Sequence, residues 1–134
     1  VSDYGLNYNP YLVIEKHPTL HEGKEAMEKL LWLRKPPTAV FAASDMLAIG
    51  ALAAAREKGV RVPEDVSVAG FDDIDFDAYC NPPLTTVRVP AREMGEIGVN
   101  LLLQMIHSNS KEERQYTLDT ELIVRASCSE YSGN

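Results

Sequence analysis

Two short apolar runs separated by a long Ala-rich stretch dominate the hydrophobic and polar pattern of this chain, and each run ends in acidic residues. Ala39-Val40-Phe41-Ala42-Ala43 lies between Pro36-Pro37 and Ser44-Asp45, and its continuous apolar character predicts a strand buried on both faces. Ser44 suits a helix N-cap. Asp45 suits the first turn, where a carboxylate meets the positive end of the helix dipole. Met46 to Lys58 contains no Pro and sets Ile49, Leu52 and Ala53 on one side, which predicts a helix that Gly59 ends. Val66-Ser67-Val68-Ala69-Gly70-Phe71 predicts a second buried strand leading into Asp72-Asp73. The strand-helix-strand unit closes within roughly 30 residues, the length of a right-handed parallel crossover. Open parallel sheets bind ligands beyond the carboxyl ends of their strands, so Ser44, Asp45, Asp72 and Asp73 stand at the edge of a candidate pocket.

On either side of this unit the pattern is less dense. Tyr11-Leu12-Val13-Ile14 predicts a first strand, entered from the turn-prone Asn7-Tyr8-Asn9-Pro10. Thr19 and Glu22 predict a capping box, each side chain satisfying the other residue's amide, and a helix from Leu20 to Leu33 with Met27, Leu30 and Leu31 turned inward. Pro36-Pro37 prevents its continuation. Thr85 to Val89 reads as extended up to Pro90. After that, Met94, Ile97, Gly98, Leu101, Leu102 and Met105 recur at helical spacing and give a helix from Ala91 to Ile106 one apolar face. Ser108 to Arg114 reads as a polar loop, and Thr117 to Arg125 alternates as a last strand. The tail from Ser127 to Asn134 carries no structural signal, and the chain holds no internal repeat.

Composition sharpens this picture by exclusion. With 134 residues, 45% of them hydrophobic and 25% charged, the chain has the size and usage of one globular α/β domain. A net charge of −7, with 13 scattered Lys and Arg, disfavours this segment as a nucleic-acid contact surface. No apolar run approaches membrane-spanning length and no signal-peptide pattern is seen, so a cytoplasmic location is expected. The chain opens at Val1 without Met and reads as a piece of a longer protein. Cys80 and Cys128 read as free thiols.

The acidic run Asp72, Asp73, Asp75 and Asp77 is the strongest chemical feature, because carboxylates at a strand end accept charge-assisted hydrogen bonds from ligand hydroxyls. Sugars and nucleosides suit such a site. Asp72 is nearest the strand end, whereas Asp75 and Asp77 read more simply as turn residues. The spacing does not by itself converge oxygens on a hard cation, and Pro18 interrupts the His17 and His21 pair, so neither a metal nor a cofactor is expected. His107 complements the negative end of its helix. No Ser, His and Asp set has nucleophile context and no Gly-rich phosphate cradle is present, so no catalytic residue is assigned. Phe76, Tyr79 and Cys80, before Asn81-Pro82-Pro83, read as core packing or as a partly apolar surface for another subunit.

Taken together, several blocks resemble the lactose and galactose repressor family of bacterial transcription regulators. They are Ala39 to Asp45, Ala48-Ile49-Gly50-Ala51, Gly59 to Asp73, Pro83-Leu84-Thr85-Thr86-Val87, and Met94-Gly95 to Leu103, in that order. The resemblance implies the C-terminal part of an effector-binding core shaped like a type I periplasmic sugar-binding protein. In that family a sugar or nucleobase binds between two subdomains and changes DNA affinity through an N-terminal headpiece. It further implies that Ser44, Asp45 and Asp72 contact effector and that Ile49, Tyr79 and Cys80 lie on a homodimer interface. Thr85 to Val89 and Leu118 to Arg125 would cross between subdomains, and the helix after Pro90 would belong to the other subdomain. The helix-turn-helix headpiece, the hinge and most of the first subdomain have no counterpart in this sequence. Pro18 stands where many members carry an aromatic residue, and Ser44 where Asn or Asp is frequent.

Two readings compete with a non-enzymatic effector-binding and dimerising module. A phosphoacceptor receiver domain has this length, but it needs an early acidic pair and a Lys after its last parallel strand, where this chain has Arg88 and then Pro90. An exported sugar-binding protein has a similar fold but lacks a reason for the interface-like Tyr79-Cys80 segment. A sheet cut short would also leave an edge strand open, so a homodimer or a domain-swapped oligomer is expected.

Overall fold

Between strands β1 (Ala39–Phe41) and β2 (Ser67–Asp72) runs a 13-residue helix, Asp45–Glu57, and the two strands pair in parallel with Val40 opposite Val68. The strand-helix-strand unit forms as predicted. The computed structural model describes residues 9–108 and 115–130, so the polar loop expected over 108–114 lies, beyond Ser108, outside the described residues. Strand β3 (Thr85–Arg88) continues the sheet in parallel beside β2, and β4 (Glu121–Ile123) closes it antiparallel to β3, in the order β1-β2-β3-β4.

Helix α1 (Leu20–Leu31) packs across helix α2, the Asp45–Glu57 helix, at close range. Gly23 and Gly50 make the approach possible, since a Cβ on Gly23 would strike the Leu47 carbonyl and one on Gly50 the Leu20 carbonyl. Met27, Ala48, Leu52, Ala54, Ala55, Val66, Val68 and Leu84 form the dry centre between helices and sheet. The fold is thus α/β, a mainly parallel sheet with helices packed on it.

Both predicted helices of this layer start on their expected caps. The Ser44 hydroxyl accepts from Leu47 N–H at 3.4 Å, and the Thr19 hydroxyl accepts from Glu22 N–H at 3.2 Å. The capping box is only half formed, however. Glu22 accepts from the amide of His17 rather than Thr19, because Thr19 N–H already donates to the His17 carbonyl.

Four expectations need correction. Tyr11 to Ile14 is no strand: Pro10–Leu12 forms a single 3-10 turn, with the Asn9 carboxamide accepting from Tyr11 N–H at 3.0 Å, and the local turn chemistry prevails where no strand pairs with it. Nor is β1 buried on both faces. It is the edge of the described sheet, and Phe41 is 65% exposed. The last strand shrinks to Glu121–Ile123 because β3 ends at Arg88, which pairs with Glu121 and leaves 117–120 without a strand partner among the described residues. The tail is anchored at its start: Ser127 is fully buried, its hydroxyl donating to the Val68 carbonyl at 2.6 Å and accepting from Thr85 N–H at 2.7 Å.

Helix α3 (Ala91–Ser108) forms as its periodicity predicts, and Ile97, Gly98 and Leu101 of its apolar face are half-buried, but other apolar side chains of the helix stay in the open. Met94, Val99, Leu102, Leu103 and Ile106 are all exposed.

Candidate functional site

β2 runs three residues past the partner of Phe41, where β1 ends. Phe41 pairs with Ala69, so Asp72, the last residue of β2, and Ser44, the cap beyond β1, each stand three residues past that pair. That is the tip where a parallel sheet offers a ligand its loops. Asp72 is exposed there, with φ at 128°, and Asp73 follows with φ at 60°. Side chains rarely adopt such backbone angles, and they persist only where the surroundings impose them.

The surroundings are an ion-pair knot. Asp73, only 8% exposed, accepts from Arg88 Nε at 2.6 Å and from Arg125 Nη2 at 2.7 Å. Burial alone would raise the Asp73 carboxyl, but the two guanidiniums outweigh it and hold the group below its ordinary range. Arg125 also donates to the Leu84 carbonyl at 2.8 Å, and Arg88 to Glu121 at 3.0 Å. One carboxylate therefore ties the end of β2 to β3 and to the segment after β4. Asp72 beside it forms no ion pair among the described residues. Partial desolvation, and then the nearby Asp45 charge, push its carboxyl upward. An open cleft of about 1000 Å³ lies over this corner, walled by Asp72, Asp73, Arg88 and the start of α3 at Arg92 and Glu96.

Ser44 and Asp45 sit deeper. The Ser44 hydroxyl is 8% exposed and spent on its cap, and Ser44 does not wall the cleft. Asp45 is fully buried: one oxygen accepts from the Thr86 hydroxyl at 2.6 Å and the other from Ile74 N–H at 3.2 Å. Gly70 leaves the room for it, as a Cβ there would collide with the Asp45 carboxylate. Asp45 braces the loop on which Asp72 is carried. Of the acidic run, Asp75 is exposed in the Asp75–Tyr79 3-10 turn, while Asp77 points inward and is buried.

Ile49, Tyr79 and Cys80 share no single environment. Ile49 is half-buried against the core, Cys80 is half-buried with its thiol donating to the Phe76 carbonyl at 3.4 Å, and Tyr79 is 86% exposed. Phe76 is exposed beside Tyr79 in the same turn, giving an aromatic surface next to the acidic corner. Sequence reasoning missed Arg88, Arg125, Thr86 and Ser127. The one available signal for the two arginines was their position at the ends of apolar, alternating runs. No group of three or more His, Cys, Asp or Glu able to hold a metal ion occurs among the described residues, and no helix there is long and apolar enough to cross a membrane.

Comparison with known proteins gives this corner its context. A model of the periplasmic binding protein-like domain matches residues 1–128. The HTH-type transcriptional repressor CytR of Escherichia coli K12 is 42% identical over 123 residues, covering 92% of this chain and 36% of the repressor. Among solved structures, the transcriptional regulator CelR bound to cellobiose superposes with a TM-score of 0.89 at 38% identity, covering 94% of this chain and 38% of that one. A LacI family transcriptional regulator from Enterococcus faecium with bound ribose superposes at 0.74 with 34% identity, covering 83% and 40%. The chain thus spans about a third of the length of the curated relatives it matches.

Proposed function

The chain belongs to the periplasmic binding protein-like domain family, in the form carried by lactose and galactose repressor-type regulators, and from that premise we propose that it is the C-terminal part of the effector-binding and dimerisation core of such a regulator. It binds a small hydroxylated molecule, a sugar or a nucleobase derivative, and performs no catalysis. DNA is contacted by a headpiece outside this sequence, in the cytoplasm. The observation that carries the reading is Asp72: an exposed carboxylate, without an ion pair among the described residues, at the tip of a parallel strand, on a backbone braced by Asp45 and Asp73.

Asp72 accepts hydrogen bonds from neighbouring ligand hydroxyls, and Ser44 and Asp45 act with it. Ser44 caps the helix that lies under the site, and Asp45 fixes the loop. The relatives with cellobiose and ribose bound support a sugar over an aromatic effector without hydroxyls. Ile49, Tyr79 and Cys80 belong to a homodimer surface, for which exposed Phe76 and Tyr79 are the main support. Helix α3 belongs with the other subdomain, which would cover the apolar side chains it now exposes. Over a match of this length the receiver-domain reading has no support, and the repressor relatives favour a regulator over an exported sugar carrier.

A thermal-shift screen of sugars and nucleosides against the intact regulator tests the proposal. A hit whose shift disappears in Asp72→Ala supports it. Absence of any hit, or a hit indifferent to Asp72, sinks it.

A further inference from the structure

Asp77 is fully buried, and neither of its carboxyl oxygens meets a hydrogen-bond donor. What it meets instead is another carboxyl group. Asp45, at the start of α2, lies within hydrogen-bond reach of it, and both Asp45 oxygens are already engaged by Thr86 and Ile74. Other charges facing Asp77 do not compensate. Asp73, after β2, adds repulsion. Arg125, after β4, attracts it but is spent on Asp73 and the Leu84 carbonyl. From its own segment the Cys80 thiol comes near, and β3 offers the uncharged Thr86.

Two adjacent buried carboxylates strongly disfavour ionising together, and here the one cation that faces Asp77 is already engaged elsewhere. A protonated Asp77 resolves the conflict, because its O–H becomes a donor to Asp45 and the orphaned group is satisfied. We propose that Asp77 carries a proton which it donates to Asp45, and that this hydrogen bond latches the segment 74–80 to the sheet. Loss of the proton to solvent, breaking the Asp77 O–H bond and leaving a carboxylate against Asp45, releases the segment and the Phe76 and Tyr79 surface it carries.

The backbone agrees with a latch. Asp77 N–H donates to the Ile74 carbonyl at 3.0 Å and its own carbonyl accepts from Leu84 N–H at 2.9 Å, so this one residue ties the turn both to its start and to the entry of β3. Burial first, and Asp45 second, push the Asp77 carboxyl up to about 7. The latch therefore opens near neutrality rather than in acid.

The test is a carboxyl-carbon NMR titration of the labelled chain from about pH 5 to about pH 9, with amide exchange at Leu84 followed in parallel. The expected result is an Asp77 midpoint near 7, with Leu84 protection, corrected for intrinsic exchange, falling several-fold across the same interval. Asp77→Asn keeps a donor toward Asp45 and should hold Leu84 protection flat with pH. An Asp77 midpoint below about 5, or Leu84 exchange that follows pH identically in the Asn variant, overturns the proposal. Should the variant fail to fold, the titration of the unaltered chain decides alone.

Discussion

Asp73 and Arg125 meet at 2.7 Å across 52 residues of chain, and through them the acidic corner after β2 is fastened to the segment that returns from β4. The pair is nearly out of water, at 8% and 19% side-chain exposure, so removing the carboxylate strands a guanidinium rather than deleting a surface contact. Asp73→Ala is expected to cost about 1.5–3 kcal/mol of unfolding free energy, the range for hydrogen bonds to charged groups. Urea denaturation at neutral pH checks this. Because the folded Asp73 carboxyl lies below its unfolded value, the contribution is present above the unfolded value and lost as pH falls through the folded one. The difference between wild type and variant should therefore shrink in acid.

Asp72 sits in a backbone conformation that strains a residue bearing a side chain. At φ 128° a residue with a Cβ is disfavoured, and glycine is not. Asp72→Gly is expected to raise stability by about 1 kcal/mol. Asp72→Ala should cost the intact regulator about 1.5–3 kcal/mol of effector affinity. Scanning calorimetry of the first variant and titration calorimetry of the second are the measurements. A destabilised glycine variant would mean that the site stores no strain.

The crossing of α1 and α2 depends on two absent side chains. A methyl group at Gly50 has the Leu20 carbonyl in its place, and backbone cannot rotate aside as a side chain can. Gly50→Ala is expected to destabilise by about 1–3 kcal/mol despite the better helix propensity of Ala. Thermal unfolding separates the two effects by sign.

How far such features could be read from the residues alone depended on their range. The βα unit from Ala39 to Asp73 was legible because cap, periodicity and terminator agree locally, and Ser44 caps α2 while Gly59 at φ 69° ends it. Asp72 was legible as a strand-tip carboxylate. Asp77 was not, since an Asp in a turn ordinarily faces water and its burial follows from contacts with Asp45, distant in sequence. Arg88 and Arg125 were hidden for the same reason: their shared partner Asp73 lies 15 and 52 residues away. Tyr11 to Ile14 misled because a short apolar run becomes a strand only where a neighbour exists to pair with it.

Asp77 is also expected to contribute to the pH dependence of stability. Its folded value of about 7 lies above the ordinary carboxyl range, so the folded state keeps a proton that the unfolded chain releases. Stability should be greatest below the unfolded value of about 4, fall as pH rises toward 7, and level off above it, by a few kcal/mol in all. Asp77→Asn should flatten that slope, measured as melting temperature against pH. A wild type that gains stability over this interval would mean that other carboxylates dominate.

Self-association is the remaining expectation, and β1 supplies its physical basis. Since Ala42 N–H and the Thr38 carbonyl bond to β2, alternation turns the Ala39 and Phe41 peptide groups outward, along an edge with no partner among the described residues. Between that edge and the Leu12–Lys16 segment lies a mostly apolar cavity of about 530 Å³, floored by Met27 and Leu47. An extended segment of another molecule would find backbone N–H and C=O groups to pair with along this edge. Gel filtration with light scattering should find this chain dimeric or larger. Ala39→Pro, which removes an outward N–H, should shift it toward monomer if the edge is used. Tyr79→Asp should do so if the aromatic surface is used instead. A monomer at high concentration in the unaltered chain would count against both.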